Sequence, residues 1–360
     1  TLNRILPGGR DLGIISCGIA ALHCREIFPD ATILKLGWPW PFPDALIRRF
    51  AERVDRVAVV EEGDPILEEH VRSFGIACSG KDVVPRCGEL TPSVLAGVRN
   101  RLLGWNDELP KPVPQAADLP SRPPVFCPGC PHRALFYALT KFDVLVTGDI
   151  GCYSLGVFPP LERTDALLCM GAGFTMAHGM RKAGERKKVV GLLGDSTFFH
   201  SGITGLLNAA YNGSDAVYIV LDNSITAMTG HQDHPGTGRT ISGQPAPAAS
   251  IEDVARACGI RRIAACDPFD QETIHRILAE ELEAPEPSLI VSRAPCPLHL
   301  KKRLSPIRRI APDRCRNCKA CLRIGCPAIS VQEGKPRIEP LACAGCSLCE
   351  SVCKFHAIER

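Results

Sequence analysis

Short apolar runs alternate with helix-length amphipathic segments over the first hundred residues. Gly, Pro, Asp and Ser bound the runs, as they bound the strands of βαβ units. Residues 43–53 have the charged and apolar spacing of an amphipathic helix. This rhythm predicts a parallel sheet with helices between its strands. The strand-like runs lie in DLGIISCG, DATILKLG, VDRVAVVEEG and FGIACSG.

A second and more apolar set of strand-like runs follows residue 140. A helix is predicted between two of them, over residues 202–211. Parallel strands connected by helices form a sheet that is covered on both faces. The chain is therefore predicted to be an α/β protein with doubly wound parallel sheets, which bind ligands at the carboxyl ends of the strands. The runs lie in DVLVTGDIG, ALLCMGAG, KVVGLLGD, AVYIVLDN and SLIVS.

Two proline-rich stretches divide the chain. Proline cannot continue a helix or a central strand, so residues 109–125 are predicted to form an interdomain linker. A second proline-rich stretch, from about residue 284 to 312, precedes a cysteine-rich segment. The predicted domains are residues 1–108, residues 126–296 and a small α+β domain at residues 305–360.

The composition is that of an ordinary folded protein, with 45% hydrophobic and 22% charged residues. None of the apolar runs is long enough to cross a bilayer, and the first twenty residues lack a secretory pattern. We expect a cytoplasmic protein that does not bind membranes.

Nineteen cysteines are far more than a chain of this length usually contains, and eight of them lie within residues 315–353. In a chain without an export signal, metal or redox chemistry explains such cysteines better than disulfides do. Residues 301–360 also hold thirteen Lys and Arg against five Asp and Glu, a net charge of +8. Nucleic-acid binding is not inferred from this charge, because anionic metal clusters would balance it.

The eight cysteines form an internal repeat. Cys315, Cys318 and Cys321 recur 28 residues later as Cys343, Cys346 and Cys349. In two-cluster bacterial ferredoxins three closely spaced thiolates bind one cubane, and the fourth ligand comes from the other half of the repeat. Zinc held by a pair of knuckles is the alternative, but it leaves two cysteines in each half unexplained. The predicted 4Fe–4S ligand sets are Cys315, Cys318, Cys321 and Cys353 for one cluster, and Cys326, Cys343, Cys346 and Cys349 for the other.

Polar residues end two strands of the second region. Gly194, Asp195 and Ser196 follow one strand, and Asn223 follows the next, 28 residues beyond Asp195. Carboxylate and amide oxygens at one sheet edge are ligands that Mg²⁺ prefers, together with phosphate oxygens. Ordinary helix caps and turns are the alternative explanation. We predict a magnesium diphosphate site there, with Gly171 at a further glycine-lined strand end.

This spacing resembles the thiamine diphosphate signature, although Ser196 replaces its last glycine and Asp222 its first asparagine. The resemblance implies Mg²⁺ ligation by Asp195, Asn223 and the carbonyl of Ile225. It implies thiamine diphosphate binding by Gly171, Gly194, Asp195, Ser196 and Asn223.

Four motifs make the whole chain resemble the thiamine-dependent 2-oxoacid:ferredoxin oxidoreductases, most closely the large subunits of members that act on indolepyruvate. The resemblance implies a transketolase C-terminal-like domain at residues 1–108 and a thiamine diphosphate-binding fold at 126–296. It implies oxidative decarboxylation of an aryl 2-oxoacid to the acyl-CoA, with coenzyme A as acyl acceptor and ferredoxin as electron acceptor. A beta subunit and a pyrimidine-binding domain would come from elsewhere. The motifs are FCPGCPHRALFYAL, GDIGCYSLG, GDSTFFHSGITGLLNAAYN and LDNSITAMTGHQDHPGTG.

The resemblance also suggests a third cluster, because related enzymes hold one near thiamine with a similar CPGC loop. Small buried thiols are the alternative. His231 and His132 are candidate catalytic residues, although a solvated loop or a helix cap explains them equally well. Two other functions are considered, a non-oxidative thiamine-dependent 2-oxoacid decarboxylase and a non-catalytic iron–sulfur electron-transfer subunit. The candidate third-cluster ligands are Cys127, Cys130, Cys152 and Cys296.

Overall fold

The computed structural model describes residues 2–109, 119, 121–301 and 303–360. The chain divides into two compact units, Thr1–Pro120 and Ser121–Arg360. Residues 110–118 and 120 of the predicted linker lie outside the described residues. Among the helices of the described part, none is both long and apolar enough to span a bilayer.

The first unit is built on a five-stranded sheet with the strand order β1-β3-β2-β4-β5. Only β1 is antiparallel to its neighbour. Adjacent residues of β2 face opposite sides, so that Ile14 packs in one hydrophobic cluster and Ile15 in another. The predicted βαβ rhythm is thus present. The elements are β1 Arg4–Leu6, β2 Gly9–Cys17, α1 Ala20–Ile27, β3 Ala31–Leu36, α2 Asp44–Ala51, β4 Val57–Val60, α3 Ile66–Ser73, β5 Cys78–Ser79 and α4 Pro92–Leu103.

The second unit contains a six-stranded parallel sheet with the order β10-β11-β9-β8-β6-β7. Helices follow its strands in chain order. The elements are α5 Pro131–Leu139, β6 Leu145–Gly148, β7 Ala166–Leu167, α6 Ala172–Lys182, β8 Val189–Gly194, α7 Asp195–Thr197, α8 Ile203–Tyr211, β9 Val217–Asp222, α9 Ile251–Ala257, β10 Arg262–Cys266, α10 Gln271–Glu283, β11 Ser288–Arg293 and α11 Pro297–Leu300.

Both faces of this sheet are buried, which explains the apolar strands. Every residue of β8 and β9 is buried. Along β9, Ile219 packs in the cluster on one face and Tyr218 in the cluster on the other. The predicted α/β class with parallel sheets is confirmed.

The cysteine-rich segment forms a small layer within the same unit. It has two antiparallel strand pairs, β12 with β15 and β13 with β14. Its hydrophobic core includes Ala134 of α5, and Tyr137 of the same helix packs against that core. The layer therefore shares a core with the region of the CPGC loop. Its elements are β12 Arg309–Ile310, β13 Ile329–Gln332, β14 Lys335–Ile338, α12 Leu348–Ser351 and β15 Ile358–Glu359.

Two sequence interpretations differ from the structure. The run ALLCMGAG was predicted to be a strand, but β7 covers only its first two residues and α6 begins at Ala172. Leu168 and Met170 are instead exposed. Strand β10 was not predicted, because most of its residues are only half-buried and its pattern is weak.

Candidate active site and cysteine pockets

A cleft with about 530 Å³ of empty volume lies at the carboxyl ends of β6, β8 and β9. Parallel sheets bind ligands at this edge. The cleft brings together most of the residues predicted for magnesium and thiamine diphosphate. Its lining includes Gly194, Asp195, Ser196, Asn223 and Ile225, together with His132, Ile150, Cys152, Tyr153, Met170, Thr197 and Met228.

Asp195 begins α7 directly after β8, and its side chain is buried. One carboxylate oxygen accepts a hydrogen bond from the Ser196 backbone at 2.8 Å. The other lies 3.1 Å from Nε2 of His234. Burial raises the pKa of Asp195; His234 opposes this effect and the charge of Asp222 adds to it. Asp222 forms an ion pair with Arg293 at 2.6 Å, so of the two carboxylates Asp195 is the one whose buried charge a divalent cation would balance.

Asn223 follows β9 and is also buried. Its Oδ1 accepts a hydrogen bond from the Ile225 backbone at 3.2 Å, and Ser224 between them adopts a left-handed conformation with φ of 62°. The Asn223 carbonyl accepts a hydrogen bond from the backbone of Cys296 at 3.1 Å. The amide oxygen of Asn223 is a hard oxygen donor of the kind that Mg²⁺ takes.

His132 connects this turn to the CPGC loop. Its Nε2 lies 3.4 Å from Nδ2 of Asn223. Burial lowers the pKa of His132 to about 4, so the ring is neutral at pH 7. A neutral imidazole nitrogen can accept a hydrogen bond from the Asn223 amide, and this holds Asn223 in one orientation.

Asp149 and Tyr153 form a buried pair that sequence reasoning did not assign to the site. The Tyr153 hydroxyl donates to one carboxylate oxygen of Asp149, and the other accepts from the Gly171 backbone at 2.9 Å. Tyr153 also contacts Thr197 and the Gly194 backbone. The pair therefore connects the loop after β6 with the loop after β8. The available sequence signal was the pair Gly148 and Asp149 in the run DVLVTGDIG, because Gly194 and Asp195 lie at the end of a strand in the same way.

Two other predicted residues lie beside the cleft and do not line it. Gly171 is the N-cap of α6 with φ of 91°, and a Cβ there would lie 2.2 Å from Oγ of Ser201. His231 is exposed, and its ring stacks on that of His299 with 5.9 Å between the ring centroids. Its backbone N–H donates to the carbonyl of Thr226, which lines the cleft, at 3.0 Å, but the His231 ring is not part of the lining.

The eight cysteines of the repeat line two separate pockets, four in each. The sets are the two that the crossed ferredoxin pattern predicts. One pocket is lined by Cys315, Cys318, Cys321 and Cys353, and the other by Cys326, Cys343, Cys346 and Cys349.

The chemistry of both pockets suits metal-bound thiolates. Burial raises the pKa of Cys321 to about 11 and that of Cys349 to about 12, and neighbouring thiols add to both effects. Four thiolates in such a pocket therefore need bound cations. Backbone N–H groups of Arg308 and Ala357 donate to the sulfurs of Cys343 and Cys353 at 3.5 and 3.4 Å, as cluster sites commonly provide.

In the part of the chain that the structure describes, no three His, Cys, Asp or Glu side chains converge as one metal ion requires. A cubane binds each thiolate at a different iron, so its ligands lie farther apart than those of one zinc ion.

The four candidate ligands of a third cluster also gather in one region. Cys152 lines the cleft and interacts electrostatically with Cys127 and Cys296. Cys130 interacts with Cys127, and backbone N–H groups at the start of α5 donate to the Cys130 sulfur. Burial raises the pKa of Cys130 to about 12. The sequence spacing alone gave no sign of this grouping.

One family model matches the part of the chain that forms the cleft. Residues 149–292 match the family model described as thiamine pyrophosphate enzyme, C-terminal TPP binding domain. This range contains the Asp195 and Asn223 strand ends.

Similarity to known proteins extends beyond residues 149–292. The chain is 38% identical to "Indolepyruvate oxidoreductase subunit IorA" of Pyrococcus horikoshii, across 98% of this chain and 61% of the relative. It is 37% identical to the protein of that name from Methanothermobacter marburgensis, across 99% of this chain and 61% of the relative. "2-oxoglutarate synthase subunit KorB" of Archaeoglobus fulgidus is 24% identical, across 51% of this chain and 73% of the relative.

The resemblance to thiamine-dependent 2-oxoacid oxidoreductases is confirmed by these matches. The chain is similar to IorA subunits along nearly its whole length, and its residues 149–292 match the thiamine pyrophosphate enzyme family model. It spans about three-fifths of the length of these relatives.

Proposed function

We propose that this chain is the thiamine-binding and iron–sulfur part of an enzyme that oxidatively decarboxylates an aryl 2-oxoacid of the indolepyruvate kind. The products would be the acyl-CoA and carbon dioxide, with two electrons passed one at a time to ferredoxin. One observation carries the proposal: two pockets of four cysteines lie in the same compact unit as the thiamine-enzyme domain. A decarboxylase that leaves its electrons in the product has no use for these pockets.

Asp195, Asn223 and the carbonyl of Ile225 would hold Mg²⁺ and, through it, the diphosphate of thiamine diphosphate. The two side chains are buried and follow adjacent parallel strands, β8 and β9. Gly194 and Ser196 line the same cleft, and Gly171 lies next to it at the start of α6. When bound, the cofactor stabilises the carbanion that forms as carbon dioxide leaves.

Electrons would leave through three clusters in sequence. Cys152 lines the cleft and is near two of the other candidate third-cluster ligands. The CPGC loop approaches the second cysteine pocket so closely that a Cβ on Gly129 would lie 2.6 Å from Cβ of Ala344. These contacts support a path from the cleft through the third cluster to the cluster at Cys343.

Ferredoxin would dock beside the pocket of Cys315. Cys318 in that pocket is exposed, and so are the neighbouring Arg316 and Lys319. An exposed cluster with basic side chains around it suits transfer to an acidic carrier protein. The net charge of +8 over residues 301–360 agrees with this site of exit.

A pyrimidine-binding domain and a beta subunit would complete the enzyme. Apolar side chains are exposed around the cleft, among them Ile150, Leu168, Met170 and Met228. Exposed apolar side chains at the mouth of a cofactor cleft suit a surface that a partner covers. The preference for an aryl substrate and the use of coenzyme A rest on the resemblance to the relatives.

The test is anaerobic purification with the rest of the enzyme, followed by iron and acid-labile sulfide analysis. About eight of each per chain is expected for two clusters, and about twelve for three. Turnover of indolepyruvate should require coenzyme A, ferredoxin, thiamine diphosphate and Mg²⁺. Asp195→Ala should abolish turnover and cofactor retention, whereas Asp215→Ala, before β9 at the opposite end of the strand, should retain both.

Other outcomes would contradict the proposal. Colourless protein that contains zinc in place of iron would exclude the redox role. Decarboxylation without coenzyme A or ferredoxin would identify a non-oxidative enzyme. Iron-containing protein with no affinity for thiamine diphosphate would identify an electron-transfer subunit.

A further inference from the structure

Arg133 is a buried guanidinium between the CPGC loop and the cysteine-rich segment. It lies in the first turn of α5 and is only 2% exposed. On one side it donates to the carbonyls of Phe126 and Cys127, the latter at 3.1 Å. On the other side it donates to the carbonyls of Ile324, at 3.1 Å, and Gly325. One side chain thus joins two loops that precede candidate cluster ligands.

No carboxylate in the described part of the chain pairs with the charge of Arg133. Among the described residues its hydrogen-bond acceptors are backbone carbonyls, and Nε is buried without a partner. A buried charge without a counter-charge is strongly unfavourable. Arg308, in the same pocket, differs: it is 4% exposed and forms an ion pair with Glu350 at 2.8 Å. The difference points to another source of negative charge near Arg133.

Cysteines from two of the candidate ligand sets lie near the guanidinium. Arg133 lines the pocket of Cys326 and Cys346, and both thiol groups interact electrostatically with it. Cys130 and Cys127, from the candidate third-cluster set, do so as well. Clusters bound by these thiolates would carry the negative charge that Arg133 lacks, since formal counting gives a cluster with four thiolates a net negative charge.

We propose that Arg133 is the shared counter-charge of two neighbouring clusters and raises the reduction potentials of both. The proposal rests on the function proposed above. In the step concerned, the cluster near the cleft is oxidised by one electron and the cluster at Cys326 is reduced by one. The electron comes from the 2-oxoacid and leaves to ferredoxin. No proton moves, because a guanidinium keeps its proton in proteins.

The experiment is an EPR-monitored redox titration of the anaerobically purified holoenzyme. Arg133→Gln removes the charge but keeps hydrogen-bond donors. We expect this variant to lower the reduction potential of both neighbouring clusters by about 59 mV. For a one-electron couple this is a tenfold change in the equilibrium constant for reduction. Arg133→Lys keeps the charge and should restore most of the potential. Arg337→Gln removes an exposed charge from the same segment and should leave the potentials unchanged.

Two results would overturn the role of Arg133. One is an Arg133→Gln protein with full iron content and unchanged potentials. The other is an equal shift in Arg133→Lys, which would assign the effect to lost packing. A failure of the proposed function looks different, because the wild-type protein would then lack reducible cluster signals.

A second measurement applies if Arg133→Gln does not take up iron. Pulsed EPR of the reduced wild-type holoenzyme labelled with ¹⁵N-arginine should show nitrogen coupling that is lost in Arg133→Lys. The Arg308 backbone, which donates to Cys343, should contribute equally in both proteins. Identical spectra from the two proteins would contradict the proposal.

Discussion

Asp149 shows how a single buried carboxyl group can hold a site together. It is fully buried and accepts hydrogen bonds from the Tyr153 hydroxyl and the Gly171 backbone. Burial raises its pKa to about 6, and the two donors oppose this effect. Asp149 therefore fixes the geometry of the loop after β6, but ionising this buried carboxyl group destabilises the folded protein.

The pH dependence of the Asp149→Asn variant's stability tests whether ionisation of Asp149 destabilises the folded protein. A carboxyl group whose pKa is raised on folding stabilises the protein fully below its unfolded pKa, near 3.8, and loses that contribution as pH rises through about 6. Asparagine does not titrate, and it can accept from Gly171 while donating to Tyr153. The variant should therefore gain stability relative to wild type between pH 4 and pH 7, by on the order of 3 kcal/mol. Denaturant unfolding of both apo proteins across this range measures the difference.

Asp215→Asn is the control of opposite sign. Its pKa is lowered, chiefly by the hydrogen bond from Arg181. The wild-type contribution is present above the unfolded pKa and is lost as pH falls through the lowered value. This variant should be less stable than wild type at pH 7, and the difference should shrink at acid pH. A parallel pH response of the two variants would contradict the role given to Asp149.

At the scale of elements, α6 is held against the sheet by an unusually close contact. A Cβ on Gly173 would lie 2.1 Å from the carbonyl oxygen of Leu192 in β8, whereas a Cβ on Gly179 of the same helix meets nothing within 4 Å. The Gly173 carbonyl also accepts a hydrogen bond from Thr147 at 2.7 Å. The start of α6, next to the cleft, is thereby fixed by backbone contact.

Gly173→Ala should destabilise the protein by about 1–3 kcal/mol, because backbone must move to admit the methyl group. The matched change Gly179→Ala should stabilise it by about 0.5–1 kcal/mol, since alanine favours an exposed helix position. Thermal unfolding of the two variants beside wild type measures both effects. Equal shifts in the same direction would mean that the Leu192 contact does not hold the helix.

The elements also show which features a sequence can predict. Strands β8 and β9 were predictable because both of their faces are buried, which leaves an uninterrupted apolar run. The same reasoning wrongly predicted a strand at Leu168 and Met170, because an exposed apolar surface near a cleft has the same residue types as a buried strand. Asp195 and Asn223 could be predicted together because they directly follow adjacent strands. Arg133 and Tyr153 make contacts between separate loops, and the spacing of residues along the sequence does not predict such contacts.

At the scale of the whole molecule, the second unit joins three kinds of site through one helix. The cleft contacts α5 through His132, and the cysteine-rich layer contacts it through Ala134 and Tyr137. The CPGC loop precedes the same helix. The cleft and the cysteine pockets are thus parts of one packed body, as the proposed electron transfer between them requires.

The crossed cysteine sets make the two halves of the repeat depend on one another, and double variants can test this. Cys353 lines the pocket of Cys315, and Cys326 lines the pocket of Cys343. Cys315→Ser with Cys353→Ser changes one pocket only and should cost about four irons per chain. Cys315→Ser with Cys326→Ser changes both and should cost about eight. Iron analysis and EPR of the reduced proteins measure the loss, and the opposite order would show that each half ligates its own cluster.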